Sequence, residues 1–201
     1  DSHPKLSAYE DLLNATDRID AARLTVEDVM EPKSYVLLSY TIDPRTGLGQ
    51  WKDYFLGLVD SLMKMPIHQV LSLDEVRQRC NTVMRQQEAA LQAFRKYSRR
   101  EANMVVTDFR DLNEVPPGNR FLVYALFPKA NVSVRIFWGR DKNTIVAAVG
   151  HSIFNRTCNV DIGELLREYG GGGHRGAGTC QFSTSEADDQ ITELLARLRE
   201  V

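Results

Sequence analysis

The chain has 201 residues, 43% of them apolar and 26% charged, with a formal net charge of −2. These are ordinary globular proportions that exclude a disordered, collagenous or purely coiled-coil protein, and the length allows one medium domain or two small ones. The near-neutral balance also excludes a strongly basic, histone-like nucleic-acid binder.

No apolar run approaches the ~18 residues of a spanning helix, so no membrane association is expected. No basic-then-apolar leader opens the sequence. Cys80, Cys158 and Cys180 are far apart and suit a reducing compartment better than a disulfide framework, so a cytoplasmic location is expected. Acidic residues outnumber basic ones by 13 to 7 over 1–76, whereas basic outnumber acidic by 7 to 2 over 77–101. The two stretches read as different pieces.

In chain order, residues 5–22 read as a helix, with Leu6, Tyr9, Leu12, Leu13, Thr16 and Ile19 at steps of three and four. Residues 34–42 form a very apolar stretch, 43–47 a Pro- and Gly-containing turn, and 51–63 a third helix before Pro66. A long helix over 73–100 follows, with Ser72 and Glu75 as a capping box. Its seam is narrow: Leu73, Val76, Cys80, Val83, Gln87, Ala90, Phe94 and Tyr97. That pattern points to a strut between domains or against a partner, dimerisation included.

After Ala102 the period changes. Strands are expected at 104–109, 121–127, 132–138 and 144–149, the last two joined by a hairpin loop at 139–143. A short helix at 162–169, a strand near 178–182 and a final amphipathic helix capped by Thr184 or Ser185 complete the chain.

The most informative segment is Gly170-Gly171-Gly172-Gly173-His174-Arg175-Gly176-Ala177-Gly178. A glycine run exposes backbone N–H groups with no side chains in the way, which suits phosphate oxygens. His174 and Arg175 add directional donors beside it. A flexible spacer is the alternative. No Gly-Lys-Ser/Thr follows, so this is not a Walker loop, and the glycines follow a helix rather than open one, so it is not a dinucleotide fingerprint. Arg135 lies on an alternating strand, with Val134 and Ile136 pointing the other way. His151, Asn155 and Arg156 occupy a polar loop after a strand, a common place for binding groups or for ordinary surface ones.

Gly171-Gly172-Gly173-His174 after a short helix, preceded by Asn131-Val132-Ser133-Val134-Arg135, resembles the DHH-associated C-terminal domain of DHH-family phosphoesterases. That family includes oligoribonucleases, phosphoadenosine-phosphate phosphatases and exopolyphosphatase-related proteins. Asn14-Ala15-Thr16-Asp17-Arg18-Ile19-Asp20 is similar to the family's fourth motif, in which an aspartate ligates metal, and Asp17 matches that position better than Asp20. Both are otherwise polar-face residues of a helix. The Asp-His-His triplet is absent, as is the Asp-x-Asp pair that should precede it. His3, His68, His151 and His174 replace them at no recognisable spacing.

The expected fold is α/β: a helical N-terminal remnant with a long linker helix (1–102), followed by a mixed-sheet domain with flanking helices (103–201). The resemblance implies a substrate-binding part of a manganese-dependent phosphoesterase. Its substrate would be a nucleotide or short single-stranded oligonucleotide. The substrate groups would be Arg135, His151, Asn155, Arg156, Gly171, Gly172, Gly173, His174 and Arg175. Asp17 would be a metal ligand, and no catalytic residue is expected within this chain. Alanyl-tRNA synthetases carry a similar domain as an RNA-binding appendage, so a non-catalytic nucleic-acid module is the alternative. A homodimer is possible on either reading.

Overall fold

A computed structural model describes residues 9–43, 48, 51–140 and 142–199, apart from the Trp51 side chain. Residues 44–47 of the turn expected at 43–47 lie outside the described residues, as does Asp141 of the 139–143 hairpin. The chain forms two compact units: Asp1–Ala90 with Pro117–Asn119, and Leu91–Pro116 with Arg120–Val201.

The first unit is helical. Its elements are α1 (Glu10–Asp20), α2 (Val26–Met30), α3 (Ser34–Thr41), α4 (Trp51–Lys64), α5 (Ile67–Ser72) and the first part of α6 (Asp74–Tyr97). Thr25 caps α2 in a true capping box with Asp28. The box expected at Ser72 and Glu75 is not formed. Ser72 closes α5 instead, its hydroxyl donating to the Gln69 carbonyl at 2.7 Å. Leu38, Tyr54, Leu58, Val70, Val76 and Cys80 make the core. The Tyr54 hydroxyl meets the buried Thr41 hydroxyl at 2.8 Å. α6 therefore contributes to a core and is more than a strut. Helix α1 buries no side chain.

The second unit is a six-stranded mixed sheet in the order β1-β2-β3-β4-β6-β5. Its strands are β1 (Ser98–Glu101), β2 (Met104–Asp108), β3 (Val132–Trp138), β4 (Thr144–His151), β5 (Gly172–His174) and β6 (Ala177–Ser183). Among these described strands only the β2–β3 pair is parallel. Parallel neighbours need a crossover, and α7 (Leu122–Leu126) supplies it. This corrects the expected strand at 121–127. An apolar run of that length fits helix and strand equally until topology decides.

The helix expected to reach residue 100 stops at Tyr97, because Ser98–Glu101 pair with β2 instead. The units divide after Ala90 rather than at 102. The last turns of α6 bring Phe94 and Tyr97 onto Phe109, with ring centroids at 5.6 and 6.1 Å.

Alternation along β3 sends Val132, Val134 and Ile136 to one face. There they pack with Ile162, Leu165 and Leu166 of α8 (Ile162–Arg167) and Ile191, Leu194 and Leu198 of α9 (Ala187–Arg199). Ser133 and Arg135 take the opposite face. All three cysteines are free and buried. Among the described residues no helix is long and apolar enough to cross a membrane.

Candidate functional site

The glycine run is not a loop. Gly172–His174 pair with β6 as Gly172–Thr179, Gly173–Gly178 and His174–Ala177, and Arg175-Gly176 is the connecting turn. Three of the four glycines have structural reasons, one conformational and two of packing. Gly170 has φ +70° just after α8, and the Gly171 N–H reaches back to the Leu166 carbonyl at 2.8 Å, which terminates the helix. A Cβ on Gly171 would clash with the Thr179 carbonyl, and one on Gly173 with the Ala177 carbonyl. Gly163 of α8 packs so closely that its Cβ would lie 2.7 Å from the Gly173 oxygen. At Gly172 a Cβ would meet nothing within 4 Å. Gly172 alone of residues 171–173 faces open space.

His174 and His151 flank the turn, and their hydrogen bonds set their tautomers. The Gly176 N–H donates to His174 Nδ1 at 3.1 Å, so a neutral His174 carries its proton on Nε2, on an exposed side chain. His151 Nε2 lies 2.9 Å from the Val160 carbonyl, which can only accept, so Nε2 holds the proton and Nδ1 is an acceptor. Burial holds the His151 pKa below its ordinary value, and the neighbouring Arg175 charge adds to this. The Arg175 guanidinium donates to the Asn159 carbonyl at 3.4 Å, and its own carbonyl accepts from the Ile162 N–H that opens α8.

Register places Arg135 relative to this turn. Arg135 pairs with Ala148, Ala148 with Thr179, and Thr179 with Gly172. The four form one cross-strand row on one face, and Arg135 and Gly172 stand about 14 Å apart at ~4.8 Å per strand. The floor between them is small: Ala148, Gly150, Ala177 and the exposed Thr179. His174 closes the next row, with Ala177, Gly150 and Ser133.

Tyr124 of α7 braces that row. Its hydroxyl donates to the Gly150 carbonyl at 2.7 Å and meets the Ser133 hydroxyl at 2.7 Å. Burial pushes this phenol up to about 12, so it stays neutral. Thr179, Gln181 and Tyr124 share the face, and the sequence reading passed over them. Alternation out from Arg135 would have found them once the strand order was known.

The other expected residues separate from this face. Alternation puts His151 with Val132, on the helix-covered side. Asn155 and Arg156 organise their own loop: Asn155 donates to the Lys129 carbonyl at 3.1 Å, and Arg156 Nε to the Ile153 carbonyl at 3.0 Å. Asp17 lies in the first unit on the exposed side of α1.

No protein-family model and no curated protein sequence matches the chain. Among solved structures, it superposes on the pGpG-specific phosphodiesterase PggH of Vibrio cholerae with a TM-score of 0.91. Identity is 32%, over 96% of this chain and 67% of that one.

The chain belongs to the DHH phosphoesterase family.

Two other solved structures resemble this DHH-family chain more loosely. An exopolyphosphatase-related protein of Bacteroides fragilis gives a TM-score of 0.46 at 13% identity, over 76% of this chain and 45% of that one. A DHH domain from a member of a ribosomal-protein family gives 0.45 at 13%, over 88% and 51%. Likenesses this loose carry no functional information.

The family implies a manganese pair, which needs several carboxylates and imidazoles around ions ~3.5–4 Å apart. Among the described residues no three His, Cys, Asp or Glu side chains come together to hold an ion. These residues do not fit such a pair.

Proposed function

We propose that this DHH-family chain is the substrate-gripping part of a manganese-dependent phosphodiesterase for short linear oligonucleotides, with a pGpG-type dinucleotide as the favoured substrate. The observation that carries this is the 32% identity and TM-score of 0.91 with a pGpG-specific phosphodiesterase.

The sheet face supplies chemistry of the right kind. The Arg135 guanidinium is a charge-assisted donor that suits a phosphate. The His174 Nε2–H is a second donor, and Gly172 lets a phosphate approach the backbone of β5. At about 14 Å, the span from Arg135 to Gly172 is wider than one phosphate. They would therefore hold separate parts of one nucleotide chain, fixing its position for hydrolysis elsewhere. With Asp17 as the single metal ligand proposed here, this chain binds but does not hydrolyse.

The test is calorimetric titration of the 201-residue chain with pGpG, alongside a manganese-dependent assay for mononucleotide release. The expected result is binding that weakens as salt rises, binding lost in Gly172→Val with an unchanged melting temperature, and no turnover. Retained affinity in Gly172→Val rejects the binding face. Turnover that disappears in Asp17→Asn shows the chemistry to be in this chain.

A further inference from the structure

Two features of the sequence stay outside this substrate face: Trp138 and the basic end of the long helix. Trp138 has the alternation of Val134 and Ile136, opposite to Arg135, so it does not flank Arg135. It lies at the C-terminal end of β3, beside the C-terminal end of β2. The crevice outside the carboxyl ends of parallel strands is where open α/β sheets bind ligands. A groove of about 600 Å³ opens there, with Tyr97 and Trp138 among its lining residues. That volume is in the range of small-ligand sites.

The groove is built rather than incidental. The indole N–H of Trp138 donates to the Arg110 carbonyl at 2.8 Å, which fixes the ring. The Arg110 guanidinium holds the Asp108 carboxylate at 2.7 Å and that of Asp188, on the first turn of α9, at 2.6 Å. One guanidinium thus serves both carboxylates and offsets one of their two charges. Asp111, Lys96 and Arg99 also line the groove. The lining carries as many positive as negative side chains, which disfavours a polyanion and favours a small ligand bearing both donors and acceptors.

We propose that this groove is a second nucleotide site, distinct from the substrate face, which takes a guanine mononucleotide. The purine ring lies against the Trp138 indole, a stacking contact worth about 1–3 kcal/mol per base. The guanine N1–H and N2–H donors point the same way, and one carboxylate accepts both; Asp111 is that carboxylate. The phosphate is held by Lys96, with Arg99 as a second cation whose Nε already pairs with the Glu101 carboxylate at 2.6 Å. Adenine presents an acceptor at N1, which a carboxylate repels, so the groove distinguishes the two purines.

The test is fluorescence titration with GMP, corrected for absorbance. It uses a Trp51→Phe background that leaves Trp138 as the sole indole. Saturable quenching is expected, with AMP at least about tenfold weaker, as for a lost bidentate base contact. Asp111→Asn and Lys96→Ala, both exposed positions, should each weaken GMP, and Gly172→Val should leave it unchanged. Absence of saturable quenching up to about 5 mM GMP overturns the proposal. So does equal affinity for AMP, indifference to Asp111→Asn, or loss of quenching in Gly172→Val, which would put the nucleotide on the other face.

Discussion

Residues 171–173 are chemically identical and physically different. Gly171 and Gly173 are required because neighbouring backbone stands where a side chain would go, and Gly172 is not. Gly171→Ala and Gly173→Ala should each lose about 1–3 kcal/mol, as overpacked sites do. Gly172→Ala should melt with the parent chain, and thermal denaturation of the three variants checks the ordering. His151 gives a second prediction at this scale. Its folded pKa is depressed below 6.5 by burial and by Arg175. Below about 6.5 the unfolded chain takes up a proton that the folded chain refuses, so stability falls as pH drops from there towards the folded value. The melting temperature should decline over that window, and His151→Asn should flatten the decline.

At the scale of elements, α6 and β1 decide where the sheet unit begins. Phe94 and Tyr97 pack on Phe109, and β1 is the partner of β2 along Ser98–Glu101. The Ser98 hydroxyl meets that of the buried Thr107 at 2.8 Å. A fragment of residues 91–201 should unfold cooperatively. One of residues 103–201 loses β1 and both rings, exposes the edge of β2 and should aggregate or melt far lower. Circular dichroism and light scattering on the two fragments distinguish them. Equal behaviour would move the boundary back to 102. The β5–β6 hairpin shows the converse case, in which a segment read as a ligand loop is an edge strand covered by α8.

For the whole molecule, composition, period and the ordered pair of motifs determined much. The α/β class, β3, β4, β6, α8 and α9, the inward set Ile191, Leu194, Leu195 and Leu198, and the family follow from local patterns, because apolar spacing is set by which side of an element is buried. Arg135 was legible as facing away from Val134 and Ile136 for the same reason. Strand order was not legible, since hydrogen bonds between strands join residues far apart in sequence. Strand order puts Arg135 and Gly172 in one row, sends His151 to the helix side, and turns Phe121–Phe127 into part of a crossover. It also brings Trp138 to the groove that Lys96 and Arg99 line. Tertiary packing alone told the glycines apart, because the reason for a missing side chain lies in the atoms opposite it.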